Sequence, residues 1–90
     1  MKHVIVERTF PEPVSLERVR KALEERQACL AFFRVRHLRS AISPDGCRMI
    51  CEYEAPDAES VRQISERAGL PYERVWTAEI VENIEFSPLP

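Results

Sequence analysis

Runs of apolar and β-branched residues predict four strands along the chain. HVIVERTF, at residues 3–10, is short and rich in β-branched residues, and it stops at the prolines of the 11–13 segment. AFFRVRHLRSAIS at 31–43, CRMICEYEA at 47–55 and YERVWTAEIVENI at 72–84 also have strand-like composition. These segments predict strands one to four in chain order.

Two helices are predicted between these strands. Apolar residues recur at helical spacing through SLERVRKALEERQACL, at 15–30, where Ser15 is a suitable N-cap. The second helix is predicted to begin after a cap at Asp57 and to end at Gly69, which favours a left-handed stop and precedes Leu-Pro. Each helix has one apolar side, so both helices are expected to pack on the sheet.

The order βαββαβ, without linkers or internal repeats, is that of the ferredoxin-like split βαβ pattern. It predicts an α+β fold in which a four-stranded antiparallel or mixed sheet carries two helices on one face. A chain of 90 residues with 44% hydrophobic content fits one such domain. We predict that this domain spans residues 1–86 and that residues 87–90 form a C-terminal tail.

The turn between strands two and three decides which side chains face one another. Pro-Asp-Gly at 44–46 is typical of a tight turn, because proline fixes φ and glycine accepts the left-handed conformation. A three-residue loop places Arg39 opposite Cys51. A two-residue loop shifts the register and places Arg39 opposite Glu52 instead. Both registers are compatible with the sequence.

In the three-residue register, His37 lies opposite Tyr53, and one sheet face gathers polar and reactive side chains. This assignment assumes that the helices cover the apolar side chains of Val4, Val6, Leu38, Ile42 and Ile50. The other face then carries His3 and five candidate ligand-binding residues, which are Glu7, His37, Arg39, Cys51 and Tyr53. That face is too apolar for open water, so we expect it to line a cavity between the two sheets of a homodimer.

Composition limits the partners and the compartment. A domain of this size buries only roughly 60 to 65% of its unfolded surface, so a second subunit would add burial that the monomer lacks. The net charge of −2 argues against nucleic-acid or acidic-membrane binding. The three cysteines fit a reducing compartment, and the chain has neither a long apolar run nor the apolar core of a signal peptide at its amino terminus. We therefore expect a cytoplasmic protein.

No standard catalytic motif is present in the sequence. It lacks GxSxG, HExxH and a glycine-rich phosphate loop, and no catalytic residue is predicted. Histidines such as His37 more often make structural hydrogen bonds than bind ligands, and Cys51 is more often a small buried hydrophobe than a nucleophile. The case for Cys51 improves in the three-residue register, because a neighbouring Arg39 would favour its thiolate.

Four segments resemble a known family. VERTFPEP at 6–13, VRHLRS at 35–40, PDGCRMICEYEAPDAESVR at 44–62 and AGLPYERVWTA at 68–78 are similar to a family of small bacterial proteins of unknown function, related to a nickel-binding-protein-like branch. The resemblance covers nearly the whole chain. It implies a ferredoxin-like fold and a homodimeric α/β barrel.

The resemblance also implies a metal-binding interior into which Cys51 points, with nickel as the metal. Either His37 or His3 is a candidate for a further ligand. The metal-binding relatives carry histidines near the end of strand one and in the second helix. This sequence has Glu7, Arg8 and Ile64 in those regions. Nickel prefers several nitrogen or oxygen donors, so the ligand set kept here is small.

Three functional hypotheses follow from the sequence. The first is a non-enzymatic homodimeric binding protein that takes a small molecule or a metal in the dimer cavity. The second is a dimeric α/β-barrel enzyme for a small anionic or aromatic molecule, with Arg39 as the anchor and His37 or Cys51 as the chemical group. In the third, the sheet face only builds the dimer of an interaction domain.

Overall fold

The computed structural model describes residues 1–81, which form four strands and three helices. In chain order these are β1 (Lys2–Thr9), α1 (Leu16–Glu25), α2 (Gln27–Phe32), β2 (Arg36–Ile42), β3 (Arg48–Ala55), α3 (Ala58–Ala68) and β4 (Arg74–Ala78). Since α1 and α2 follow each other in one helical segment, the arrangement is βαββαβ, and the predicted ferredoxin-like α+β fold is confirmed. None of these helices is both long and apolar enough to cross a membrane.

The sheet has the strand order β2-β3-β1-β4, and all neighbouring strands are antiparallel. β3 therefore lies between β1 and β2, as the split βαβ pattern requires. The fourth strand was predicted at 72–84 and is observed at Arg74–Ala78. Residues 82–84 of that prediction and the predicted tail at 87–90 lie outside the described residues.

The first predicted helix is divided at Arg26. This residue has φ −107° and ψ 12°, which are not helical values, and it separates α1 from α2. Its guanidinium donates to the carbonyl oxygens of Ala22, at 3.2 Å, and Ala68, at 3.1 Å. The side chain thereby satisfies carbonyl groups near the ends of α1 and α3, which would otherwise lack partners.

The second strand begins later than predicted, because residues 31–32 belong to α2. Arg34 ends this helix with φ 60°, a left-handed conformation that is uncommon for a residue other than glycine. The amide of Arg34 donates to Ala31 O, and the amide of Val35 donates to Leu30 O at 2.8 Å. This hydrogen-bond pattern is a Schellman motif, and it turns the chain into β2.

The second predicted helix matches α3 at both ends. Asp57 accepts a hydrogen bond from Ser60 N at 2.8 Å, so the predicted N-cap is confirmed. Gly69 has φ 67° and ends the helix in the predicted left-handed conformation. The amide of Leu70 donates to Ser65 O at 2.9 Å, which completes a second Schellman motif.

Two glycines with positive φ provide a matched test of backbone strain. A β-carbon at Gly69 would meet nothing within 4 Å, so Gly69→Ala should cost only the left-handed conformation, about 1 kcal/mol. A β-carbon at Gly46 would approach Val14 N and Val14 O to 3.0 Å, so Gly46→Ala should cost more. Chemical denaturation followed by circular dichroism measures both. Equal costs would contradict the close approach at Gly46.

The core lies between the sheet and the helices. β1 contributes Val4 and Val6, both with 0% exposure, and α3 contributes Val61 and Ile64. β3 contributes its alternate residues Met49, Cys51, Tyr53 and Ala55. Cys51 and Tyr53 therefore lie under the helices, which corrects the prediction that they face away from them. Ile50, which was predicted under the helices, is 46% exposed on the open face of the sheet.

Candidate functional site

The register of the β2–β3 hairpin differs from the three-residue prediction near the turn. Arg39 pairs with Glu52, and Ser40 pairs with Cys51, so the predicted Arg39–Cys51 pair does not form. A β-bulge between His37 and Arg39 shifts the register by one residue. Beyond the bulge, His37 lies opposite Tyr53 as predicted. One hairpin thus contains both of the registers that the sequence allowed.

The turn explains the register near Arg39. Ser43 N donates to Arg48 O at 2.9 Å, so four residues, 44–47, lie between the paired residues instead of three. Asp45 organises this loop, because its carboxylate accepts hydrogen bonds from Ser43 Oγ at 2.6 Å and from Cys47 N at 2.9 Å. These hydrogen bonds, first that from Ser43, lower the pKa of Asp45.

The sheet separates the five candidate residues into two groups. His37, Cys51 and Tyr53 lie on the helix side. Glu7 and Arg39 lie on the open face, which corrects the prediction of one shared cavity for all five.

The two open-face candidates are engaged in polar contacts of their own. Arg39 binds the carboxylate of Glu52, and this hydrogen bond is the main cause of the lowered pKa of Glu52. Glu7 accepts a hydrogen bond from Trp76 Nε1 at 3.0 Å. Glu7 and Arg39 therefore lie in side-chain pairs on the open face of the sheet. The other three candidate ligand-binding residues lie together on the helix side.

A cavity of about 430 Å³ lies between α1 and the helix side of the sheet. Its floor includes Ser40, Met49, Cys51 and Tyr53, and its roof includes Val19, Ala22 and Leu23 of α1. No residue of α1 is buried. The apolar side of this helix therefore faces the cavity instead of a closely packed core.

The segment before α1 holds this arrangement in place. The amide of Phe10 donates to Cys47 O at 2.8 Å, and the amide of Val14 donates to Gly46 O at 2.9 Å. Both bonds fix the 10–14 segment to the β2–β3 turn. Because Pro11 and Pro13 have no amide hydrogen and restrict φ, the segment continues as a constrained wall of the cavity before α1 begins.

Arg8 is the functional candidate that sequence reasoning missed. Its side chain is only 2% exposed and lines the cavity from β1. The guanidinium donates to Pro71 O at 3.1 Å, to Ser65 Oγ at 3.1 Å and to the hydroxyl of Tyr53 at 3.4 Å. The strand alternation contained the signal, because Arg8 shares the face of Val4 and Val6 and is therefore directed toward the core.

His37 and Cys51 are joined through one hydroxyl group. Ser40 Oγ donates to Cys51 Sγ at 3.1 Å, and it lies 2.8 Å from His37 Nε2. Because a hydroxyl has one proton to donate, this arrangement corresponds to the His37 tautomer that carries its proton on Nε2. In that tautomer the imidazole donates to Ser40.

The helix-side environment favours the neutral forms of two titratable groups. The pKa of His37 is lowered, first by burial and second by the positive charge of Arg8. The pKa of Tyr53 is raised to about 12, first by burial and second by the neighbouring Cys51. Both side chains are therefore uncharged at neutral pH, and Arg8 remains the charged group beside them.

Comparison with known proteins assigns the chain to a family. The model of the family described as "Nickel responsive protein SCO4226-like" matches residues 5–77. The chain belongs to the SCO4226-like family. The crystal structure of SCO4226 from Streptomyces coelicolor A3(2) is similar, with a TM-score of 0.77 and 19% sequence identity. That match covers 88% of this chain and 98% of the SCO4226 chain, and it shows a shared fold. No curated protein matches the chain.

The SCO4226-like family is described as nickel-responsive, so we tested whether the predicted metal ligands fit nickel. His37 Nε2 and Cys51 Sγ each form a hydrogen bond with the Ser40 hydroxyl. Within residues 1–81, no three His, Cys, Asp or Glu side chains come together as a metal site. Nickel prefers several nitrogen or oxygen donors. The described residues of one chain therefore do not fit this metal.

The pKa of His37 leads to a prediction about stability and pH. Because the folded state lowers this pKa, the unfolded state binds the proton more readily below about pH 6.5. The free energy of unfolding should therefore fall as the pH decreases from about 7.5 to about 5.5, and His37→Gln should reduce this dependence. Urea denaturation at several pH values tests it. Identical pH dependence in the two proteins would contradict the predicted role of His37.

Proposed function

We propose that the chain is a non-enzymatic binding protein that holds a small molecule in the cavity beneath α1 and acts as a homodimer. The cavity is the observation on which this proposal depends. Its volume of about 430 Å³ lies within the range of about 300 to 1,000 Å³ that is typical of ligand pockets. Mostly apolar walls with a few polar groups, among them Arg8, Ser40 and Tyr53, also match such pockets.

Two observations support the homodimer. Trp76 and Ile50 are each 46% exposed on the open face of the sheet, which the helices of the same chain do not cover. Residue Ala41, the cross-strand partner of Ile50, is exposed on the same face. Burying this face against a second copy would remove apolar surface from water in a domain that buries little on its own. The arrangement is also the one that the family resemblance implies.

The enzyme hypothesis has less support than the binding hypothesis. It required Arg39 beside His37 or Cys51, whereas Arg39 binds Glu52 on the opposite side of the sheet. His37 Nε2 also contacts Ser40 Oγ and not the Cys51 sulfur, so the imidazole is not placed to take a proton directly from the thiol. Nickel as a ligand stays a prediction of the resemblance, and its ligands would have to include groups beyond the described residues of one chain.

A cavity-filling substitution tests the proposed function. Ala22 lies in the cavity roof, so Ala22→Trp should fill the cavity and prevent binding. Ala28→Trp is the matched control, because Ala28 is exposed on α2 and does not line the cavity. Each protein is purified under native conditions, denatured, and its released small molecules are identified by mass spectrometry. We expect a compound with the natural protein and Ala28→Trp that is absent with Ala22→Trp. The same compounds in all three samples would contradict the proposal.

A further inference from the structure

Arg8 is a buried cation without a counter-ion among the residues that the structure describes. Its guanidinium is permanently charged, and its side chain is 2% exposed. Among residues 1–81, no carboxylate lies within ion-pair distance of it. Buried arginines are normally paired, because removing an isolated charge from water is costly. This cost indicates a function for Arg8 other than stabilising the chain alone.

The hydrogen bonds of Arg8 leave part of its binding capacity unused. Three of the five N–H groups donate, and all three acceptors are neutral oxygens. Nε is buried and has no acceptor in the described part of the chain. A buried donor without an acceptor is unfavourable, and a group that enters the cavity with acceptor oxygens would relieve it.

Positive charges outnumber negative charges around the cavity. Among the described residues, Arg18 and Arg26 also line it, together with the acidic Glu12. Arg26 donates to backbone carbonyl oxygens, and within the described residues neither Arg18 nor Arg26 forms an ion pair. The cavity is thus locally positive, although the whole chain has a net charge of −2. A positive cavity with apolar walls favours an anion that has an apolar body.

We propose that the cavity binds an organic carboxylate with an apolar body, and that Arg8 holds its carboxylate group. This inference rests on the proposed function and names its class of ligand. A carboxylate supplies a single charge and two acceptor oxygens, which suits one buried guanidinium. The apolar body would lie between the floor at Met49 and Cys51 and the roof at Val19 and Leu23.

Matched acids and amides test this inference. Octanoate and 4-phenylbutyrate are the probes, and octanamide and 4-phenylbutanamide are neutral controls of the same length. Isothermal titration calorimetry with probe concentrations up to about 5 mM detects Kd values near 1 mM. Each acid should bind about 10- to 100-fold more tightly than its amide, because the amide has no charge to pair with the guanidinium and offers one acceptor oxygen instead of two.

Variants assign this difference to Arg8. Arg8→Gln should remove the preference for the acid over the amide, whereas Arg20→Gln, on an exposed part of α1 outside the cavity, should keep it. A second measurement does not require Arg8→Gln to fold. Carboxylate binding should raise the pKa of His37, because the anion offsets part of the electrostatic effect of Arg8. Nuclear magnetic resonance follows His37, with His3 on the other sheet face as the internal reference.

The outcomes separate this inference from the proposed function. Equal affinities for each acid and its amide would overturn the role of Arg8 and leave small-molecule binding intact. Binding of inorganic phosphate in place of the acids would likewise overturn the carboxylate assignment. If none of the four probes binds, the inference is overturned, and the cavity-filling experiment decides the proposed function separately. An unchanged pKa of His37 in the carboxylate complex would place the anion away from Arg8.

Discussion

Tyr53→Ala should lower the free energy of unfolding by about 3 to 5 kcal/mol, as is usual when a large buried aromatic side chain is truncated. Tyr53 is 4% exposed and lies opposite Val4 in the sheet. Its ring meets that of His37 edge-on at a centroid distance of 5.4 Å. Its hydroxyl accepts a hydrogen bond from Arg8 at 3.4 Å. The substitution therefore removes aromatic packing and leaves the buried cation with fewer partners.

Tyr53→Phe is the control for this prediction, because it keeps the ring and removes only the hydroxyl. Its cost should be about 1 kcal/mol. Thermal and urea denaturation of the two variants and the natural protein give the comparison. A domain of this size is stabilised by only about 5 to 15 kcal/mol, so Tyr53→Ala should remove a large part of its stability. A loss for Tyr53→Ala as small as that for Tyr53→Phe would contradict the central position of the ring.

Ile50→Lys should dissociate the proposed homodimer and leave the monomer folded. Ile50 is 46% exposed on the open face and lies opposite Glu7, which can pair with a lysine at this position. Within a dimer interface, the ammonium group would have to leave water. The Kd of dimerisation should therefore increase by about 100-fold, which corresponds to about 2.7 kcal/mol.

Phe32→Lys is the matched control for the dimer prediction. Phe32 is 79% exposed at the end of α2, away from the open face of the sheet. This substitution also replaces an exposed apolar side chain by lysine, and it should leave dimerisation unchanged. Analytical ultracentrifugation over a range of concentrations measures the Kd of each protein. A monomeric natural protein, or equal effects of the two substitutions, would contradict dimerisation through the open face.

Local sequence signals predicted those features of the fold that depend on neighbouring residues. The caps at Ser15 and Asp57 and the left-handed stop at Gly69 are all observed. These features depend on side-chain hydrogen bonds and backbone freedom within a few residues. The division of the first helix at Arg26 could not be predicted in this way, because one of its two hydrogen bonds reaches Ala68 in α3.

The composition of the site was predicted less completely than the fold. His37, Cys51 and Tyr53 do lie together, but on the helix side of the sheet. A one-residue change of register moves a side chain to the opposite face, so the four-residue loop displaced Arg39 from Cys51. The bulge then restored the pairing of His37. The sequence could not predict these two changes of register. The first results from the hydrogen bonds of Asp45 in the turn, and the second from the β-bulge between His37 and Arg39.

Because α1 covers the cavity, ligand binding and the conformational stability of this helix should depend on each other. Amphipathic helices usually obtain most of their stability by packing on the core. Since none of the residues of α1 is buried, this helix obtains little stability in that way. A ligand in the cavity would supply the missing apolar contacts and would thus become a part of the core. Occupancy would then be detectable on the outer surface of α1, where Glu17, Arg20, Lys21 and Glu24 are exposed. A partner that recognised this charged surface could distinguish the filled protein from the empty one without contacting the ligand.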